Sequence, residues 1–246
     1  KNWYLIETIY RDATMSCLTG KKETCKKIIE HTKYLAENKA FFNNYGGPDN
    51  NDWYEATFIN NHGISHVLFA YWVASQKISI DEKVKSKISK WAIKAVKRNS
   101  TARRPQGLNN HSLNSAKAYI LAGGIFNNEK ILSNGEKTFK KYLKKEFKKI
   151  NDEHVVLPIE AERGSRGLYY TGRTINVMLF LATLLTDSGR DQYNDKFFEK
   201  IDNSINFMLD ADVDNSLIYP WAKRNKNAFG DYKKQITDPA TYAWAP

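Results

Sequence analysis

The stretch Val84-Lys85-Ser86-Lys87-Ile88-Ser89-Lys90-Trp91-Ala92-Ile93-Lys94-Ala95-Val96 decides the fold. Its apolar residues at 84, 88, 91, 92, 95 and 96 recur three and four apart, so one helix face is apolar while lysines crowd the other. A strand would need sustained alternation at every second residue, which the run Trp91-Ala92-Ile93 breaks. The same spacing appears upstream in Ile28, Ile29, Leu35 and Ala36, and downstream in Phe197, Phe198, Ile201, Ile205, Met208 and Leu209. Further helices are expected over about residues 63–75, 112–122 and 171–185. The six prolines, at 48, 105, 158, 220, 239 and 246, fall between these segments, where helix breakers belong. An all-α chain follows, with residues 1–246 read as a single domain.

Composition narrows the class. Hydrophobic residues at 41% with only 13 Gly and 6 Pro exclude a disordered or fibrous chain. At 246 residues a large core can form. No run approaches the roughly 18 consecutive apolar residues of a membrane span, so no membrane partner is expected. The sequence starts at Lys1 without a charged-then-apolar leader, which suits either a removed signal peptide or a sequence trimmed at its start. Cys17 and Cys25, eight positions apart in a polar stretch, suit a local disulfide in an oxidising compartment, with two free thiols as the alternative. Export to the periplasm or the medium is the corresponding expectation.

The 38 Lys and Arg against 27 Asp and Glu leave a net charge of +11, which favours a polyanionic partner such as nucleic acid or an acidic polysaccharide. Seven lysines lie at 137, 140, 141, 144, 145, 148 and 149, interleaved with Phe139, Tyr142, Leu143, Phe147 and Ile150 at helical spacing. This reads as one helix with a solvated face rather than a binding site. No nucleic-acid motif accompanies the charge, so a nucleic-acid partner is not expected.

Two helices open alike. Asn60-Asn61-His62-Gly63 and Asn109-Asn110-His111-Ser112 each precede a helix containing Ala-Tyr, at Ala70-Tyr71 and Ala118-Tyr119, with another helix between. A helix pair repeated at about fifty residues is what an α/α toroid or solenoid shows, here complete or shortened. Each Asn could equally be a helix N-cap. His62 and His66 share a helix face at metal-ligand spacing, yet no carboxylate or Cys at diagnostic spacing completes a set, so cleft lining without a metal is the reading. Asn61 and His62 are then candidates for a neighbouring subsite, and Trp221, beside Pro220, for a sugar-stacking platform. Asp210, Asp212 and Asp214 lack the Gly and terminal Glu of a calcium loop and read as an acidic helix end.

The densest chemistry lies in Leu157-Pro158-Ile159-Glu160-Ala161-Glu162-Arg163-Gly164-Ser165-Arg166-Gly167-Leu168-Tyr169-Tyr170. Its Pro and two Gly mark it as a loop, and it gathers two Glu, two Arg and two Tyr ahead of an apolar helix. It is either a site or an Arg/Glu cluster with tyrosine anchors.

Asn110-His111-Ser112, followed by Leu157-Pro158-x-Glu160-x-x-Arg163-x-x-Arg166-x-Leu168-x-Tyr170 and by Gly189-Arg190-Asp191-x-Tyr193, resembles the α/α-barrel alginate lyases, the poly(β-D-mannuronate) lyases of polysaccharide lyase family five. The resemblance spans roughly residues 72–193. Thr171 and Leu113-Asn114 depart from it, standing where members usually carry a His and an aromatic pair. It implies an α/α toroid, a catalytic set of Asn110, His111, Arg163 and Tyr170, and an acidic polyuronate as partner, with the protein a monomer. Arg166 and Tyr169 become substrate-binding candidates by their place in the motif.

The chemistry needs these groups. Removing the C5 proton of a uronate puts a second negative charge beside a carboxylate, so the enzyme must first neutralise that carboxylate. Arg163 offers a planar fork of donors, Asn110 an amide, and His111 a third donor or a base. Tyr170 can take the proton and return one to the glycosidic oxygen when both lie on one face of the sugar. For the other epimer His111 would be the base. No metal or cofactor is called for. The same fold acting on glucuronan or another acidic exopolysaccharide is an alternative, as is a non-catalytic polyanion-binding helical module. Glu160 and Glu162 as the acid and base of a hydrolase sit only two residues apart, a poor span for a glycosidic bond.

Overall fold

A computed structural model describes residues 3–42, 52–100, 110–190, 195–226 and 228–237. Asn109, Asp191, Tyr193 and the prolines at 48, 105, 239 and 246 lie outside these residues. The helices are α1 (Trp3–Leu18), α2 (Lys22–Glu37), α3 (Asp52–Ser75), α4 (Glu82–Arg98), α5 (Asn110–Ile125), α6 (Glu129–Glu146), α7 (Pro158–Ala161), α8 (Gly167–Asp187), α9 (Asp195–Val213) and α10 (Tyr219–Ala222). Among the described residues the only strands are β1 (Lys148–Lys149) and β2 (Val155–Val156), paired antiparallel. The all-α expectation holds. No described helix is long and apolar enough to cross a membrane.

The chain divides into two compact units, residues 1–106 with 114–138 and residues 107–113 with 139–246. In the first, α4 buries Ile88, Trp91, Ala92, Ala95 and Val96, the face read from the sequence. Asp81 starts it by accepting from the backbone N–H groups of Lys83 and Val84 at 2.9 and 3.2 Å, satisfying two donors the first turn leaves open. α1 packs along α3, and α2 against α1, α3 and α4. Cys17 and Cys25 form a disulfide between α1 and α2, and both are buried.

In the second unit two expectations shift by a turn. The lysine-rich helix stops at Glu146 instead of reaching Ile150, because Lys148–Lys149 turns into β1. The Asn151 side chain fixes the reversal by accepting from the N–H groups of Glu153 and His154. Ile150 is consequently exposed, and the buried face of α6 continues from Phe139 and Tyr142 to a carboxyl group, Glu146. The lysines at 137, 141, 144, 145, 148 and 149 are exposed, as a solvated face requires. In α9 the buried residues are Phe197, Ile201, Ser204, Phe207, Met208 and Ala211, while Leu209 is exposed. This helix is apolar on two sides, and packing against α8 and β2 selects the face containing Phe207 and Ala211. Asp214 closes α9 as an acidic turn, accepting from the N–H of Ser216.

Candidate active site

The segment from Leu157 to Tyr170 folds as helical turns rather than as the open loop its Pro and Gly suggest. Pro158 opens α7, where its missing N–H costs nothing, and Gly164 breaks the chain direction at φ +56 before a 3-10 turn over Gly164–Arg166 leads into α8. A side chain at 164 would meet the Phe229 carbonyl oxygen at 2.2 Å and Asn225 Oδ1 at 2.3 Å, so both space and conformation require glycine. Tyr169 and Tyr170 therefore stand in the first turn of α8.

Residues of 222–226 and 228–237 lie against these turns. Ser165 N–H donates to the Phe229 carbonyl at 3.1 Å, Ile236 N–H to the Ser165 carbonyl at 2.7 Å, and Gln235 Nε2 to the Gly164 carbonyl at 2.9 Å. The part of the C-terminal segment within the described residues is thus built into the site's support. Glu162, almost wholly buried, pairs with Arg224 and Lys226 from this segment.

The chemistry gathers around Arg163, which is 9% exposed. Its Nη2 donates to Asn110 Oδ1 at 3.3 Å, bridging 53 positions of sequence. Its Nε lies 2.8 Å from Glu160 Oε2, an ion pair one helical turn apart. Its guanidinium carbon sits 4.4 Å from the centre of the Tyr170 ring. Glu160 also accepts from the backbone N–H of Asn110, so one buried carboxylate ties the start of α5 to the arginine. Arginine can only donate, which fixes the Asn110 amide with its oxygen toward Arg163 and its NH2 group turned away. His111 follows in the first turn of α5 and is half-buried.

The other candidates each have contacts of their own. Arg166 is exposed, its guanidinium 4.8 Å from the Phe229 ring centre, and Phe229 also packs on Tyr170 at 5.8 Å. Tyr169 meets Tyr170 edge-on at 5.2 Å, with Arg173 over its ring. Trp221 packs edge-on against Phe207, as a core-flanking ring does. Asn61, in the first unit, is wholly buried, and its Nδ2 donates to the Asn99 carbonyl at 2.7 Å, which ties α3 to the end of α4. His62, nearly buried, contacts Glu7 and His66.

Behind Arg163 lies a buried acidic layer that sequence reading missed. Glu146 and Glu160 are both fully buried, Glu146 Oε1 accepting from Ile159 N–H at 3.0 Å and Glu160 Oε1 from the Tyr142 hydroxyl at 3.2 Å. Burial, then the charge of Glu160, pushes the Glu146 carboxyl up to about 9. Burial raises Glu160 as well, opposed first by Arg163. The only sequence signal was that position 146 continues the apolar stripe of α6.

Glu146 makes stability depend on pH. Folded, it keeps its proton up to about 9, whereas unfolded it loses it in the ordinary carboxyl range. The folded state therefore holds one more proton across that window. This contribution is complete below the ordinary range and is lost as pH rises toward 9, at no more than about 1.4 kcal/mol per pH unit. Glu146→Gln keeps an acceptor for Ile159 and removes the titration. Its stability relative to the parent should rise steadily between pH 5 and 9, as read by urea unfolding at several pH values.

Comparison with known proteins places this arrangement. The chain is similar in structure to alginate lyase A1-III from Sphingomonas species A1, at 16% identity and a TM-score of 0.71, over 97% of this chain and 73% of that one. It is also similar to a histidine-to-alanine variant of alginate lyase A1-III complexed with a tetrasaccharide, at 16% identity and a TM-score of 0.70, covering 92% of this chain. A tyrosine-to-phenylalanine variant complexed with a tetrasaccharide matches at 14% identity and a TM-score of 0.71, again over 92% of this chain. The chain spans 64% and 62% of the length of those two variants. The fold is thus that of the α/α-barrel alginate lyases. No curated protein sequence matches the chain. The family model described as alginate lyase matches residues 10–217. That match covers most of the sequence, and the chain belongs to the alginate lyase family, a family of polysaccharide lyases.

Proposed function

We propose that this chain cleaves alginate, with preference for mannuronate-rich stretches, by β-elimination at the group formed by Asn110, His111, Arg163 and Tyr170. The observation that carries the reading is the guanidinium of Arg163, bonded to Asn110 and lying on the Tyr170 ring, within a chain of the alginate lyase family. The tetrasaccharide complexes of the similar enzyme were obtained with a histidine or a tyrosine replaced, the residue types assigned here to His111 and Tyr170.

The steps follow from the chemistry. The uronate carboxylate is received by Arg163 and the outward amide of Asn110, with His111 as third donor, so that charge developing at C5 delocalises into an already neutralised group. Tyr170 as phenolate takes the C5 proton. The electron pair forms the C4=C5 double bond, the C4–O4 glycosidic bond breaks, and the departing oxygen receives a proton from Tyr170. Glu160 acts as a positioning residue, since it holds Arg163 by Nε and Asn110 by its backbone N–H.

The net charge of +11 suits a polyanionic substrate, and the Cys17–Cys25 disulfide suits a secreted or periplasmic enzyme, here proposed as a monomer. The substrate is tested by comparing initial rates on polymannuronate, polyguluronate and glucuronan, followed by ultraviolet absorbance of the unsaturated product. Fastest cleavage of polymannuronate is expected. Fastest cleavage of glucuronan would move the assignment to another polyuronate.

A further inference from the structure

Three potential ligand atoms converge within the first unit, one of them on the subsite candidate His62. Glu7 of α1 and His62 and His66 of α3 bring one carboxylate oxygen and two imidazole nitrogens within 4.8 Å of one another. His62 Nε2 lies 3.1 Å from Glu7 Oε2 and 3.2 Å from His66 Nε2. In a tetrahedral site with bonds near 2 Å, neighbouring ligand atoms stand roughly 3.3 Å apart. Sequence reading found the two histidines on one helix face but no third ligand, because Glu7 arrives from 55 positions away through the packing of α1 on α3.

The same distances frustrate ordinary hydrogen bonding. Both contacts meet at one atom, His62 Nε2, which carries either a single hydrogen or a single lone pair. With the hydrogen present, it cannot lie along both contacts. With the lone pair present, it faces the carboxylate at 3.1 Å. A cation at the focus would take one atom from each of the three groups as a ligand.

We propose that Glu7, His62 and His66 bind a divalent transition-metal cation of the zinc type, fastening α1 to α3. Two imidazoles and a carboxylate are the ligand chemistry such ions prefer, and three protein ligands leave a fourth position for water. The charges of Lys117 and Arg11 reach His66 and oppose a second positive charge there.

The test is calorimetric titration of the full chain, stripped with a chelator, with Zn2+, and spectroscopy with Co2+ in its place. One equivalent should bind, and Co2+ should give the intense visible bands of a tetrahedral site. His66→Gln and Glu7→Gln should each weaken binding at least tenfold, while His154→Gln, a histidine of the second unit paired with Asp210, should not. Glu7→Gln decides the matter if His66→Gln does not fold, because Glu7 keeps a partly exposed side chain. No binding, or binding unchanged in the Glu7 variant, would overturn the proposal.

Discussion

Tyr170→Phe should lower kcat on alginate by at least about 100-fold, with little change in KM and in unfolding free energy. The substitution removes one oxygen and keeps the ring. That ring stays beneath Arg163 at 4.4 Å and against Phe229 at 5.8 Å, so the cation-π contact and the aromatic packing survive. A residue acting as both base and acid contributes on the order of 100- to 10,000-fold. The adjacent Tyr169 stands edge-on to Tyr170 with its own ring under Arg173. Steady-state kinetics with a parallel urea titration separates the outcomes. Loss of kcat at unchanged stability supports proton transfer by Tyr170, a proportionate loss of stability would indicate only packing, and retained kcat would remove the residue from the mechanism.

Arg163→Lys should be nearly as severe, with kcat/KM falling roughly 100- to 1,000-fold, the loss expected for one preorganised donor to a developing anion. Lysine keeps the charge but offers a single nitrogen. Arginine makes three contacts at once: Nε to Glu160, Nη2 to Asn110 and the guanidinium face to Tyr170. An ammonium cannot span them, so the Asn110 amide loses the partner that orients it. Glu160 is fully buried, and weakening its ion pair should also cost stability, by about 1–3 kcal/mol. Glu160→Gln separates the two effects. It keeps the Arg163 charge and loses the pair, so activity should fall less than in Arg163→Lys while the stability loss is similar.

Much of this was legible before any coordinates. The face of α4 from Ile88 to Val96 followed directly from spacing, because a helix with one apolar side has only one way to bury it. α9 was less legible. Phe198, Ile205 and Leu209 offered a second apolar side, and only its neighbours decide between the two. The end of α6 was misread because Phe147 and Ile150 extend the stripe, whereas pairing with Val155 and Val156 pulls the chain into a strand. At the site, residue types and order pointed to Asn110, Arg163 and Tyr170, and the fold brings these three together. What holds them was hidden. Glu160 read as one half of an Arg/Glu cluster, and nothing in the spacing singled out Glu146, yet the first pairs with Arg163 and the second is buried as a titrating acid. Asn61 repeats the Asn-His pair, and its Nδ2 donates to the Asn99 carbonyl at the end of α4, a partner 38 positions away that spacing alone does not disclose.

The most direct measurement is the chemistry of the new chain ends when the full protein is incubated with polymannuronate, read by mass spectrometry and proton NMR. β-Elimination at Arg163 and Tyr170 predicts a C4=C5 unsaturated sugar at each new non-reducing end, one water lighter than the hydrolysis product. Saturated ends would show that water had been added across the bond, and would contradict the elimination assigned to this site.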